Sequence, residues 1–87
     1  MPVKVEAQAI LFPYDGSRAA AVTKRFVDVL EAAGVRCVVG NMATSCYGEM
    51  DTVFQSIRKA FELIATDERL GISIVIANDI PAIGKPS

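Results

Sequence analysis

The stretch that decides the fold is MATSCYGEMDTVF, residues 42–54. Its first half, residues 43–47, alternates side chains in a way that is typical of a short strand. From Met50 onward the apolar residues take up a helical spacing. Glu49 and Asp51 stand at the start of that helix, where a carboxylate interacts favourably with the helix dipole. The stretch therefore predicts a strand that runs directly into a helix capped by one of these two carboxylates.

On both sides of this junction, strand-like alternation and helix-like spacing of the apolar residues divide the chain into further strands and helices. Alternation or β-branched composition predicts further strands at residues 3–12, 35–39 and 72–77. Spacings of three and four residues predict one helix over residues 18–33 and a second that ends near Asp67. The apolar stripe predicted for the second helix consists of Met50, Val53, Phe54, Ile57, Phe61 and Ile64.

The resulting order, β-α-β-β-α-β, predicts an α+β fold of the ferredoxin-like type. Right-handed crossovers place both helices on one face of a four-stranded antiparallel sheet. We expect one domain over residues 1–87, with 78–87 as a loose C-terminal tail. The opposite face of the sheet carries no helix and is called the open face here. On the first strand it should present Glu6, Gln8, Ile10 and Phe12.

Composition narrows the functional classes. The chain has 87 residues, of which 52% are hydrophobic, and a net charge of -1. With no basic cluster, nucleic-acid binding is disfavoured. The absence of histidine removes histidine-based zinc sites and catalytic triads, and we expect no catalytic residues and no metal site. There is no long apolar run, so no membrane partner is expected. Two cysteines, expected as free thiols, favour a cytoplasmic setting.

The high apolar content also bears on assembly. A domain of this size buries a modest fraction of its surface, and one sheet face is left without helices. We therefore expect a homodimer or homotetramer that covers the open face, including Ile10 and Phe12.

The junction carries more polar groups than capping requires. Thr44 and Cys46 fall on one face of the third strand, and Ser45 and Tyr47 fall on the other. Neither face is simply apolar, so helix capping alone does not explain this strand. The residues leave two readings open, a bulged structural strand and a small-molecule site.

Three segments of the sequence resemble segments of a known protein family. AQAILFPYDGS, ATSCYGEMDTVFQSIRKAFE and ISIVIAND resemble the first strand, the strand-to-helix junction and the last strand of the thiamine/hydroxymethylpyrimidine-binding YkoF-like family and its thiamine-binding relatives. The resemblance spans about Val5 to Asn78. Its members have ferredoxin-like domains, in tandem or as single-domain homo-oligomers, and this chain matches the single-domain form. Where related chains often carry Glu before the glycine, this chain has Tyr47.

The resemblance implies a ligand, thiamine or its hydroxymethylpyrimidine moiety, and no other cofactor. Polar side chains would complement the aminopyrimidine edge, aromatic rings would stack on it, and a carboxylate would favour the thiazolium cation. The residues expected to bind are Gln8, Phe12, Thr44, Ser45, Tyr47, Glu49 and Asn78. The expected role is binding for salvage, transport or sequestration, without catalysis.

Three alternatives share the fold. One is an ACT-like regulatory domain that binds an amino acid at a dimer interface. Another is an oligomerisation module without a ligand. The third is a small enzyme that uses Glu49 or Asp51 as a general base. Ligand profiling separates the first from a thiamine-binding protein.

Overall fold

The computed structural model describes residues 3–78, which form one sheet and two helices. The strands are β1 (Lys4–Pro13), β2 (Arg36–Val39), β3 (Thr44–Glu49) and β4 (Leu70–Ala77). The helices are α1 (Ala19–Ala32), which follows a 3₁₀ turn at Gly16–Arg18, and α2 (Met50–Ile64). The predicted order of elements is confirmed. The predicted loose tail lies outside the described residues, apart from Asn78.

The sheet has the strand order β2-β3-β1-β4, and every neighbouring pair is antiparallel. Both helices pack on one face, so the predicted ferredoxin-like α+β architecture is confirmed. On β1, the helix-covered face carries Val5, Ala7, Ala9 and Leu11, as the alternation predicted.

The core lies between this face and the helices. From α1 it takes Val22, Phe26 and Leu30, which are fully buried. From α2 it takes a set of residues that includes two small ones: Val53, Ser56, Ile57, Ala60 and Ile64. The buried hydroxyl of Ser56 donates to the Val53 carbonyl at 3.0 Å.

The predicted stripe of α2 is wrong at two positions. Met50 and Phe54 are 42% and 43% exposed, whereas Ser56 and Ala60 face the sheet. A helix approaches a sheet closely where its contact residues are small, and a search for large apolar side chains misses such positions.

Local chemistry explains where the helices begin. The Asp15 carboxylate accepts from the Ser17 backbone N–H at 3.0 Å and starts the 3₁₀ turn. Glu49 occupies the N-cap position of α2, but its side chain makes no capping hydrogen bond. Gly48 lies against α2, since an added Cβ would stand 3.3 Å from a Val53 methyl group. Glycine thus lets β3 turn tightly into the helix.

Candidate functional site

Register separates the predicted site residues between the two faces of the sheet. Thr44 pairs with Ala9 and therefore lies on the helix-covered face, where it is 3% exposed. Ser45 pairs with Gln8, and both lie on the open face. Thr44 and its sequence neighbour therefore cannot line the same pocket.

A small cavity stands beside Thr44. It has a volume of about 150 Å³ and lies between β1, the N-terminal half of α1 and the β2–β3 hairpin. Its polar lining comes from Thr44, Thr23 and Asn41, and its apolar lining from residues such as Leu11 and Val39. At ~30 Å³ for each water in the liquid, it has room for roughly five waters. That size suits one small ring with its substituents.

A larger groove along α1 lies next to the small cavity. The groove has a volume of about 470 Å³ and shares Ala19, Thr23 and Val39 with the small cavity. Its lining is mainly apolar, and among residues 3–78 Lys24 is the only charged residue that lines it. The Lys24 ammonium lies 3.0 Å from the Asp28 carboxylate, so its charge is already paired. We call the two adjoining spaces the Thr44 pocket.

The hairpin that closes the pocket is tight. The backbone N–H of Gly40 donates to the carbonyl of Ala43 at 2.9 Å, which leaves Asn41 and Met42 as a two-residue loop. A Cβ at Gly40 would stand 3.0 Å from that same carbonyl oxygen, so this position favours glycine. The sequence places this loop between the strands predicted at residues 35–39 and 43–47, but it did not indicate that the loop faces α1.

The open face holds a second group of predicted residues. Gln8, Ser45 and Tyr47 lie on adjacent strands, and Glu6 is directly opposite Tyr47. The Arg36 guanidinium lies over the Tyr47 ring, 4.7 Å from its centroid. Glu6 is only 6% exposed, and its Oε2 atom has no hydrogen-bond partner among the described residues. A buried carboxylate oxygen without a donor is costly.

The remaining predicted residues, Phe12, Glu49 and Asn78, are not brought together with Thr44. Phe12 lies four residues beyond Gln8 on β1, or roughly 14 Å away. Glu49 stands five residues from Thr44, or roughly 17 Å along β3, and lies two residues from Tyr47 on the open face, roughly 7 Å away. Asn78 follows the end of β4 and is exposed. These three residues line no part of the Thr44 pocket.

Phe12 instead lines a third cavity of about 760 Å³, together with Tyr14, Glu68 and Arg69. Two charged side chains of this cavity already have partners. The Arg69 guanidinium stacks over Tyr14 at 4.3 Å, and Glu68 accepts from Arg18 at 2.6 Å.

The two cysteines lie on the helix-covered face beside the Thr44 pocket. Cys37 and Cys46 are cross-strand partners, with both thiols free and the sulfur atoms 4.0 Å apart. Within residues 3–78, no three or more cysteine or carboxylate side chains are grouped so that they could hold a metal ion. In the same range, no helix is long and apolar enough to cross a membrane.

Fold and pocket together define a small ferredoxin-like α+β domain with a ligand-sized cavity between its sheet and its first helix. The chain belongs to the thiamine-binding protein family, whose model matches residues 7–80. The family resemblance drawn from the sequence is thereby confirmed. No curated protein matches the chain.

Solved structures share this fold at low sequence identity. A Thermotoga maritima protein, described provisionally as a thiamine biosynthesis/salvage protein, has a TM-score of 0.73 and 19% identity, over 84% of this chain and 81% of its own. A hypothetical protein from Methanocaldococcus jannascii has a TM-score of 0.78 and 19% identity, over 94% and 87%. A domain of unknown function from Bacillus cereus has a TM-score of 0.73 and 24% identity, over 99% and 85%.

Proposed function

We propose that this protein binds thiamine, or the hydroxymethylpyrimidine half of thiamine, in the Thr44 pocket. The observation that carries the proposal is a 150 Å³ cavity in which hydroxyl and amide side chains stand among apolar walls. Ligand sites combine these two features, since apolar walls supply burial and a few polar groups fix orientation. Membership of the thiamine-binding family supports the choice of ligand.

The charges around the pocket indicate which part of thiamine it receives. No carboxylate of the described part of the chain lines the small cavity or the groove, and Glu49 is roughly 17 Å along the strand from Thr44. The cationic thiazolium therefore finds no counter-charge in the lining. The neutral aminopyrimidine is the better occupant, because its ring nitrogens and amine can exchange hydrogen bonds with Thr44, Thr23 and Asn41.

We propose a binding role in salvage, transport or sequestration, in the cytoplasm, rather than catalysis. The described side chains that line the small cavity are hydroxyls, one amide and apolar groups, and none of them is an acid, a base or a thiol. Glu49 and Asp51, the candidates for a general base, are exposed and lie outside the pocket. The free thiols of Cys37 and Cys46 support a reducing compartment.

Calorimetric titration with hydroxymethylpyrimidine and thiamine tests the site. Thr44→Val and Thr23→Val each remove a hydroxyl and keep the β-branched shape. Each should weaken binding by about tenfold to a hundredfold, because a ligand nitrogen left unpaired costs ~1–3 kcal/mol. Thr52→Val is the matched control, since Thr52 lies on α2 and lines neither part of the pocket.

The outcomes separate the alternatives. Hydroxymethylpyrimidine should keep most of the affinity of thiamine if the pocket receives the pyrimidine. Unchanged affinities in folded Thr44→Val and Thr23→Val would contradict the proposal. A loss of affinity in Ser45→Ala alone would indicate that the ligand binds on the open face. Binding of an amino acid, with no binding of either pyrimidine, would favour the ACT-like alternative.

We further propose that two copies associate through the open face as a homodimer or as part of a homotetramer. This face exposes Phe12, Val38 and Val75 by about half each, at 54%, 52% and 57%. Among the described residues, it also carries cations and a carboxylate that form no ion pair with one another: Lys4, Arg36 and Glu6. We infer that Lys4 or Arg36 of a second copy pairs with the Glu6 carboxylate, and an isologous contact would make that pairing twice.

Sedimentation at micromolar concentration checks this association. Val75→Glu places a charge on the open face and should produce monomers. Leu63→Glu is the matched control, since Leu63 is exposed on α2 on the other side of the molecule. A wild-type protein that sediments as a monomer would contradict the proposed assembly.

A further inference from the structure

Cys37 and Cys46 occupy a special position in the β2–β3 ladder. The hydrogen bond from Gly40 N–H to the Ala43 carbonyl makes those two residues a hydrogen-bonded pair. Hydrogen-bonded and non-hydrogen-bonded pairs alternate along an antiparallel ladder. Cys37 and Cys46 are the third pair after Gly40 and Ala43 in this ladder. They therefore form a non-hydrogen-bonded pair, the kind in which opposite side chains come closest.

This pairing has the dimensions of a disulfide. Non-hydrogen-bonded partners have Cα atoms about 4.5 Å apart, within the range of about 4.4–6.8 Å that disulfides span. The two sulfur atoms are 4.0 Å apart as free thiols, and a disulfide brings them to about 2 Å. Side-chain rotation over a short distance is therefore sufficient, without a change in strand register.

The two thiols differ in access. Cys37 is partly exposed on the edge strand β2, and Cys46 is fully buried. The Cys46 thiol can donate to a Cys37 thiolate, and this hydrogen bond lowers the pKa of Cys37 below its ordinary value. The same hydrogen bond, together with burial, raises the pKa of Cys46. Cys37 is thus the thiol that meets a reagent first, and Cys46 is placed behind it.

We propose that Cys37 and Cys46 form a reversible modification site, which low-molecular-weight disulfides oxidise to an intramolecular disulfide. The proposal goes beyond ligand binding and does not depend on it. The Cys37 thiolate attacks one sulfur of the small disulfide, forms a mixed disulfide and expels one small thiolate. Cys46 then loses its proton and attacks the Cys37 sulfur, and the second small thiolate leaves. Two protein thiols are oxidised by two electrons, and one small disulfide is reduced to two thiols.

Burial does not prevent the second step. The Cys37 charge that opposes ionisation of Cys46 disappears once Cys37 is in the mixed disulfide. The Cys46 sulfur already lies beside its target, so the intramolecular attack competes well with a second small thiol. The disulfide links the edge strand β2 covalently to β3. On the helix-covered face, the next cross-strand pair along the ladder is Val39 and Thr44.

The test uses the full chain in glutathione buffers of increasing oxidised fraction, followed by acid quenching, alkylation and intact-mass measurement. The wild type should lose both alkylation sites together, become lighter by two hydrogen atoms and carry no glutathione. Dithiothreitol should restore both sites. Cys46→Ser should accumulate a glutathione adduct at Cys37, since it lacks the second thiol. Cys37→Ser should react at least about tenfold more slowly, because its remaining thiol is buried.

The wild-type measurement decides the matter even if a variant fails to fold. Two free thiols that persist in a buffer dominated by glutathione disulfide would overturn the proposal. A stable glutathione adduct on the wild type, or a disulfide-linked dimer on a non-reducing gel, would overturn it as well.

Discussion

On the helix-covered side of the molecule the buried polar groups are the hydroxyls of Thr44 and Ser56, whereas the open face buries a carboxylate oxygen that has no donor among residues 3–78. The ion pairs among residues 3–78 are Arg18–Glu68, Lys24–Asp28, Arg25–Asp67 and Arg58–Glu62, and all of them belong to the helices and their ends. Glu6, on the open face, is almost fully buried and has an unsatisfied oxygen.

This contrast supports the two proposals made above. The pocket beside Thr44 is lined by β1, α1 and the β2–β3 hairpin of one chain. The open face has exposed apolar side chains around a buried charge, which is the composition of a surface that a partner completes. The helix side therefore suits ligand binding, and the open face suits association.

The largest expected effect comes from two phenylalanines, one on each side of the sheet. Phe26→Ala empties a fully buried position and should destabilise the fold by ~3–5 kcal/mol. Phe12→Ala truncates a side chain that is 54% exposed and should cost less than ~0.5 kcal/mol in the isolated chain. Urea unfolding of both variants at low protein concentration measures the difference. Equal costs would show that the two sides are packed alike.

Glu6→Met should produce the next largest effect, and in the opposite direction. It replaces a buried, unsatisfied carboxylate by an apolar side chain of similar size, so the isolated chain should gain ~1–3 kcal/mol. Association through the open face should weaken, because the second copy loses its acceptor. Thermal unfolding and sedimentation report the two changes separately. Gln8→Met, two residues along the same face, is the control, and an equal gain there would remove the special role of Glu6.

The sequence predicted the sheet and both helices because their periods are local properties. It also placed Thr44 and Ser45 on opposite faces. The sequence could not show whether Thr44 or Ser45 lies on the helix-covered side, because neither side of β3 is purely apolar. The register with β1 decides this, since Cys46 pairs with Ala7 in the core and Ser45 pairs with Gln8 on the open face.

The pocket was harder to predict than the fold because it also depends on contacts between residues that are distant in sequence. Thr23 and Asn41 line it, but they are distant in sequence and carry no local signal of a site. They meet because the hairpin after β2 turns towards α1. The contribution of Ser56 and Ala60 to the core was missed because small side chains do not stand out in an apolar stripe.

Alanine substitution of two glycines compares the tight hairpin at the pocket with the open face. Gly40→Ala places a Cβ 3.0 Å from the Ala43 carbonyl oxygen, so the closed turn must shift at a cost of about 1 kcal/mol. Gly71→Ala meets nothing within 4 Å and should be neutral or slightly stabilising, because it reduces the freedom of the unfolded chain. Differential scanning fluorimetry should show opposite or unequal shifts. A destabilised Gly71→Ala with an unaffected Gly40→Ala would contradict the description of the hairpin.

The smallest expected effect concerns the ion pair between Arg25 and Asp67, which joins α1 to the segment after α2 at 2.8 Å. The hydrogen bond from Arg25 holds the pKa of Asp67 below its ordinary value. A carboxyl whose pKa is lowered by folding contributes stability above the unfolded pKa, and that contribution is lost as the pH falls through the folded pKa. Arg25→Gln should therefore lower the melting temperature slightly near neutral pH and have no effect in strong acid. Arg58→Gln is the control, because its partner Glu62 lies one turn along the same helix and the pair links no separate elements. A difference between wild type and Arg25→Gln that persists below the folded pKa of Asp67 would show that Arg25 stabilises the helix layer by packing rather than by charge.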